Sequence, residues 1–532
     1  MPRYTQLYNP SATPVTEQAR PDQVVNNTGG FVFALTPMKQ LERFCVLGSD
    51  QPTYYVSAQK LTRENARVVE ACWQAHPIET AAIISTISTE NRAPKNTPAI
   101  FALALGMVSP NVTARQAAYN AANTVCRTAT HLFTLLRFTQ ELGKGHGRGM
   151  KRMIATWYER RPTPVLARQM VQYQSREGYT HKRGIQLSNQ GAGREDAHRE
   201  ALFSWACGRD YVESSLPSIV QAFLAVHATD QNTKTLVKLI QDHNLPWEAL
   251  PTEALRKPEI WEALLPKMGL TALIRNLGRM TEVGTIGPMN AGKRIVMQRL
   301  DDEEALKKGR IHPFTLLQAL SVYKGGHSLQ SGRRGVTKTW QPVSAVIDAL
   351  DAAFYKAFKA VVPTGKRHIL ALDVSGSMGV GQLFGSNLTP REGTAAMAMV
   401  TQAVEPDTLI YGFSHKFIPL DIGRRTRLDD AVRSISGIPF GSTDASLAIR
   451  YALENNIVAD AFVVYTDNEI NTGGHPFLTL EKYRQATGIA AKLIVVGMTA
   501  TQFTIANPAD PGMLDVVGFD SSAPAVMADF VR

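Results

Sequence analysis

From residue 37 to residue 358 apolar side chains recur at three- and four-residue spacing through segment after segment, and hardly any stretch alternates as a half-buried strand would. The spacing predicts helices over 57–74, 78–88, 98–106, 112–125, 128–141, 149–160, 164–174, 194–207 and 216–227. It continues over 233–242, 261–268, 270–280, 291–300, 301–308, 313–324 and 342–358. More than a dozen helices of ten or so residues would make an outsized single bundle, whereas stacked helix pairs of the α-solenoid kind can each bury a face against the next. No exact sequence period runs through the region, so the expected repeat is structural.

After Val362-Pro-Thr-Gly the pattern changes. Apolar runs at 368–373, 408–413, 461–467, 492–498 and 513–519 alternate with helical stretches at 389–404, 428–435, 445–455 and 479–487. Strand and helix in alternation with short links give a doubly wound α/β sheet. Residues 1–28, rich in Pro, Thr, Gln and Asn, form a tail or a strap laid over another surface. The expected division is therefore a strap over 1–28, an all-α domain over 29–364 and an α/β domain over 365–532.

Charge follows the same division. From Arg367 onward there are 12 Lys and Arg against 17 Asp and Glu, a net −5, while residues 1–366 hold 45 against 29, a net +16. A surplus of that size on the helical part points to a polyanionic partner, nucleic acid first among them. Cys45, Cys72, Cys126 and Cys207 lie far apart with no zinc spacing, so buried free thiols in a reducing compartment are expected. The amino-terminal MPRYTQLYNPSATPV has no signal pattern, and no window approaches the roughly 18 apolar residues of a membrane span, so the expectation is a cytoplasmic protein without a membrane partner.

The basic residues gather in links. Residues 143–152, GKGHGRGMKR, hold Lys144, His146, Arg148, Lys151 and Arg152 among four glycines; residues 176–183, REGYTHKR, hold Arg176, Lys182 and Arg183 with Tyr179 and His181 interleaved. A third patch, YKGGHSLQSGRR, spans 323–334. Glycine lets backbone approach phosphate, Lys and Arg neutralise it, and Tyr or His can stack on unpaired bases, which makes RNA the expected ligand. Residues 287–294, GPMNAGKR, mimic a phosphate-binding loop, but Arg294 stands where a Ser or Thr hydroxyl is required and 280–286 makes a poor strand.

In HILALDVSGSM, residues 368–378, a buried strand ends in Asp373 and opens into a loop with Ser375 and Ser377 at alternate positions. Open α/β sheets bind ligands at that edge. Thr443, before a helix, and Asp467, after a later strand, fall on the same edge. Carboxylates with hydroxyls are hard oxygen donors suited to Mg²⁺ or another divalent cation. The order Asp373, Ser375, Ser377, Thr443, Asp467 is the five-residue pattern of a von Willebrand factor A domain's metal-ion-dependent adhesion site. No catalytic set accompanies it: His415 and His475 have no evident nucleophile and are expected on the surface or in loops.

A basic all-helical module followed by an A domain resembles the Ro ribonucleoprotein autoantigen family, whose helical part is the TROVE module, and is similar to its bacterial members. The strings that carry the resemblance are QLERFCVLGSDQPTYYVSAQKL (40–61), CRTATHLFTLLRF (126–138), GRGMKRMIATWY (147–158), GYTHKRGIQLS (178–188), RIHPFTLLQALSVYKGGH (310–327) and ALDAAFYKAFKAVVPTGKRHILALDVSGSM (349–378). The resemblance implies a ring of HEAT-like helical repeats closed by the A domain, with no enzyme activity and a monomeric protein component. It implies that single-stranded 3′ ends of misfolded noncoding RNA enter a central hole while a Y RNA grips the outer edge, and that an exoribonuclease such as polynucleotide phosphorylase is recruited through the Y RNA. Carried over for Y RNA are Arg176, His181 and Lys182, with Gln172 standing where the family has a cation. The competing expectation is a metal-dependent protein-adhesion module that captures a partner carboxylate.

Overall fold

A computed structural model describes residues 13–48, 66–143, 145–188, 196–228, 232–328, 338–358, 362–380, 388–438, 441–499, 501–518, 520 and 522–532. The chain forms two compact units, one of Met1–Cys72, Arg92–Pro98 and Phe358–Arg532, the other of Trp73–Asn91 and Ala99–Ala357.

The second unit is helical, and its helices stack in alternation. Pro77–Thr89 packs on Val112–Val125, that helix on Arg148–Glu159, and that in turn on His181–Ser188. Between them run others that make their own row of contacts, Thr163–Gln172 packing on Ala197–Cys207 and Ser218–Ala228. This is the stacked-pair architecture that the spacing predicts. Asn111, Thr128, Asp196 and Asn232 start their helices by accepting backbone N–H bonds, and Gly208, Asn244 and Gly326 end theirs in the left-handed conformation. Buried indoles lock the stack: Trp73 Nε1 donates to the Ala102 carbonyl at 2.8 Å and Trp157 Nε1 to Cys126 at 2.7 Å. Gly106 leaves room for the Trp73 ring, which a Cβ there would meet at 2.4 Å.

Eleven strands occur among the described residues: β1 (Gln23–Val25), β2 (Phe31–Ala34), β3 (Ser175–Arg176), β4 (Tyr179–Thr180), β5 (Arg367–Asp373), β6 (Asp407–Phe413), β7 (Phe417–Pro419), β8 (Ala461–Thr466), β9 (Lys492–Gly497), β10 (Phe503–Thr504) and β11 (Met513–Val517). Six form one sheet in the order β11-β9-β8-β5-β6-β7, parallel except for β7. Central strands of such a sheet are covered on both faces, so β5 and β8 read as unbroken apolar runs and are buried throughout from His368 and Ala461 onward.

The first unit gathers residues from both ends of the chain. Val15, Val32 and Phe33 lie in one core with Ile369, Val464 and Val495. β2 pairs antiparallel with β1 and with β10. The helix Pro37–Leu47 follows, and its Arg43, fully buried, reaches Asp515 Oδ1 at 2.7 Å and the Thr501 carbonyl at 2.9 Å. The boundary at residue 29 therefore does not coincide with that of the compact unit, which takes in 31–47 as well as the strap. Strands of three and four residues are too short to show a period, and a buried arginine looks in sequence like a surface one. The four cysteines are free and buried, as expected; desolvation pushes the Cys126 thiol up to about 12. Among the described residues no helix is long and apolar enough to cross a membrane.

Candidate metal site and RNA-facing surface

β5 and β8 are parallel neighbours, paired through Leu372 and Tyr465, so their carboxyl ends bring Asp373 and the Thr466-Asp467 pair side by side. Asp373 Oδ1 accepts from the Ser375 amide at 2.9 Å and Oδ2 from the Thr466 hydroxyl at 2.7 Å. The Ser375 and Ser377 hydroxyls lie 3.0 Å apart, and Ser377 hydrogen-bonds Asp467. Thr443, buried on the loop before the helix Leu447–Glu454, exchanges backbone bonds with Asn471: its N–H donates to Asn471 Oδ1 at 2.8 Å, and its carbonyl accepts from the Asn471 N–H at 3.1 Å. The loops that carry all five residues are thus joined on one sheet edge.

Asp373 and Asp467 are both buried. Burial, and then the charge of Asp467, pushes the Asp373 carboxyl up to about 7 against the pull of its hydrogen bonds, and burial raises Asp467 as well. Two carboxylates confined with hydroxyls strain against each other and are set to gain from a dication between them. The donors of the set are oxygen throughout, which fits Mg²⁺ better than a soft ion. Sequence reading missed three supports: Thr466, Asn471 and Arg391, whose Nη2 donates to the carbonyls of Val374 and Ser375 at 3.2 and 3.0 Å. Thr466 stands beside the motif and could have been found; nothing local marks Arg391.

In the helical unit two of the basic strings form one surface. Helix Arg148–Glu159 packs on His181–Ser188 so closely that a Cβ on Gly184 would meet the Tyr158 hydroxyl at 2.6 Å. Between β3 and β4 the turn Glu177-Gly178 has φ of 54° and 80°, a two-residue hairpin of the type that needs positive φ at both positions. Tyr179 of this hairpin places its hydroxyl 2.7 Å from Gln140 Oε1 and 3.3 Å from His146 Nε2, tying it to the glycine-rich loop. Arg148, Lys151, Arg152, Lys182 and Arg183 are exposed there and pair with no described residue. Arg176 is exposed and meets Glu177 at 3.3 Å, and Glu177 also meets Arg137 at 3.4 Å. His146 is half-buried, its pKa lowered by burial and then by Arg183 and Lys151. Lys144 lies outside the described residues.

Several expected roles do not survive. His181 is buried, its Nδ1 3.1 Å from the Tyr158 hydroxyl and its ring edge-on to Phe133 at 5.1 Å, so it packs the core. Tyr179 is buried, and Tyr323 of the third patch is buried and stacked on Trp340, so neither offers a face to a base. Residues 329–334 of that patch lie outside the described residues. His415 is exposed and His475 lies in the loop before helix Pro476–Thr487, as expected, although its ring is buried, with Nε2 2.9 Å from the Glu17 carbonyl and Nδ1 3.3 Å from Gln23 Nε2. As expected, the phosphate-loop mimic has no strand before it: the helix Leu270–Glu282 precedes it, and Lys293 bonds the Pro288 carbonyl.

Two family models match the chain, the TROVE domain over residues 24–241 and 217–332 and the Ro60 vWA domain over 367–531. An RNA-binding protein RO60 of Deinococcus radiodurans is 40% identical over 534 residues, covering 98% of each chain. One from Caenorhabditis elegans is 33% identical over 593 residues, covering 97% of this chain and 91% of that protein. The crystal structure of the D. radiodurans RO (RSR) protein superposes with a TM-score of 0.67 at 39% identity, over 93% of this chain and 99% of that one.

Proposed function

The chain belongs to the RO60 family of TROVE-domain proteins, and from that premise we infer that it is a noncatalytic RNA-binding scaffold. The observation that carries this reading is the surface of Arg148, Lys151, Arg152, Lys182 and Arg183, five exposed cations that pair with no described residue, beside a glycine-rich loop. Surface charges left uncompensated at one place attract phosphate and release its counterions. A small structured noncoding RNA of the Y type is the ligand assigned to this surface. Misfolded RNA with an unpaired 3′ end is the second ligand, handed to an exoribonuclease that reads it through the Y RNA.

In the A domain, Asp373, Ser375, Ser377, Thr443 and Asp467 would hold Mg²⁺ or another divalent cation, which would supply positive charge to attract a partner's carboxylate. Asp373 and Asp467 bring the charge, the hydroxyls fill the shell, and Arg391 fixes the loop between them.

Gel shifts with a hairpin RNA carrying a single-stranded tail test the reading. Lys151→Ala/Arg183→Ala should weaken binding and reduce the slope of log affinity against log salt by about 0.7–0.9 for each phosphate that is no longer neutralised. Equal, weak binding of tailed RNA and duplex DNA by the unaltered protein would sink it.

A further inference from the structure

The loop that carries Asp467 is not held by the sheet alone. The amino-terminal strap crosses it in backbone contact: the Val15 N–H donates to the Gly473 carbonyl at 2.8 Å, and the His475 ring sits between Glu17 and Gln23. The tightest grip is at Asn26, which is buried. Its Nδ2 donates to the carbonyls of Asn468 at 3.1 Å and Ile470 at 2.8 Å, bracketing Glu469. Its Oδ1 accepts from the amides of Gly30 at 2.7 Å and Thr28 at 3.1 Å, so the side chain that holds the loop is itself fixed by the strap's turn. Asn27 adds a bond to Glu469 Oε1 at 2.5 Å. The approach is close enough to demand glycine at residue 30, where a Cβ would stand 1.9 Å from the Ile470 carbonyl oxygen.

Both ends of this loop serve the candidate metal site. Asp467 stands one residue before Asn468, which is in the left-handed conformation with φ of 64°, and Asn471, one residue beyond Ile470, holds the Thr443 amide. The Asn26 side chain thus bonds two of the three carbonyls that lie between Asp467 and the residue that anchors Thr443. A carboxylate that touches a metal keeps its aim only while its loop is held, and Asn26 is the side chain that clasps Asn468 and Ile470 together.

We propose that Asn26 is a positioning residue for the metal site, so that strap and cation stabilise one arrangement of the Asp467 loop and each tightens the hold of the other. The proposal rests on the reading of Asp373 and Asp467 as cation ligands. Coupling of this kind is reciprocal by thermodynamic necessity. The strap is then a handle: whatever peels residues 23–30 from the loop loosens the cation.

The test uses the full chain with Mn²⁺ titrated by electron paramagnetic resonance, and hydrogen exchange of the strap amides with and without Mg²⁺. Asn26→Ala and Gly30→Ala should each weaken Mn²⁺ by about tenfold, the low end for loss of an outer support. The exposed strap variant Val25→Ala should bind as the unaltered protein does. In the unaltered protein Mg²⁺ should slow exchange of the Asn26 and Gly30 amides, a reciprocal effect that a merely structural strap would not show and that needs no variant to fold. The proposal is overturned if the unaltered protein binds Mn²⁺ but both variants bind it equally well and Mg²⁺ leaves strap exchange unchanged. An unaltered protein that binds no Mn²⁺ removes the cation reading itself, and this proposal with it.

Discussion

The Tyr158 hydroxyl lies 3.1 Å from His181 Nδ1 inside the packing of helix Arg148–Glu159 on helix His181–Ser188. A histidine flanked by exposed Lys182 and Arg183 is thereby part of the scaffold that presents them. Burial depresses its pKa to about 4, against a weaker upward pull from the Gln169 and Tyr173 carbonyls. An unfolded histidine titrates near 6.5, so between those values the unfolded chain takes up the proton first. The stability His181 contributes is full above about pH 6.5 and is lost as pH falls toward 4, by at most roughly 3 kcal/mol. His181→Ala should lower the melting temperature and lessen the destabilisation between pH 6.5 and 4. At a temperature where the variant is folded, its RNA affinity should match the unaltered protein's within a factor of two or so.

His146 should behave in the opposite way, because it faces the proposed ligand. Burial and the charges of Arg183 and Lys151 hold its pKa below the usual value. Phosphates that neutralise those two cations relieve the repulsion, raise the histidine pKa and draw a proton into the complex. Affinity for a hairpin RNA should therefore rise as pH is lowered from 8 to 6 at constant salt. His146→Gln, which can keep the bond to Tyr179, should flatten that dependence in a filter-binding titration.

At the candidate metal site the two buried carboxylates oppose each other. Addition of Mg²⁺ should raise the melting temperature of the unaltered protein, and chelation should reverse the rise. Asp373→Asn removes one of the opposed charges, and the Thr466 hydroxyl can turn from donor to acceptor to meet the new amide. The variant should lose the response to Mg²⁺ yet be at least as stable as the unaltered protein in chelator, as calorimetry would show.

How much of the fold and of the site was legible depended on the length of the pattern. The helix Val112–Val125 coincides with the periodic segment, and β8 with its apolar run, because fourteen and six residues of one environment leave a clear trace. That Asp373 and Asp467 share one sheet edge was legible because their spacing reflects parallel strand ends that the fold must bring together. β1, β2 and the β3–β4 hairpin escaped because two to four residues show no period and their pairing partners are remote or hidden in a turn. The burial of His181 had a signal: buried residues fall at 181, 184, 185, 187 and 188, on one side of a short helix, with Lys182 and Arg183 exposed. Composition of the string hid its periodicity. The Asn26 clasp left no trace at all, since its partners are carbonyls more than four hundred residues away.

The hairpin offers the sharpest separation of stability from binding. Glu177 takes positive φ, which costs a side-chain-bearing residue of its kind about 1 kcal/mol, and it is retained beside Arg137 and Arg176. Two partly exposed ion pairs return about 0–1 kcal/mol each, so the strain and the pairing nearly offset. Glu177→Asn keeps a residue that tolerates the turn while it removes a negative charge and frees the Arg176 guanidinium; Arg137 keeps its pair with Glu141 at 2.9 Å. The melting temperature should hold or rise slightly. RNA affinity should increase several-fold at low salt, with a steeper salt dependence as Arg176 becomes available to phosphate. A variant that melts normally and binds RNA no better would show that the ligand does not reach the hairpin. The surface would then be confined to Arg148, Lys151, Arg152 and the amino-terminal turn of helix His181–Ser188.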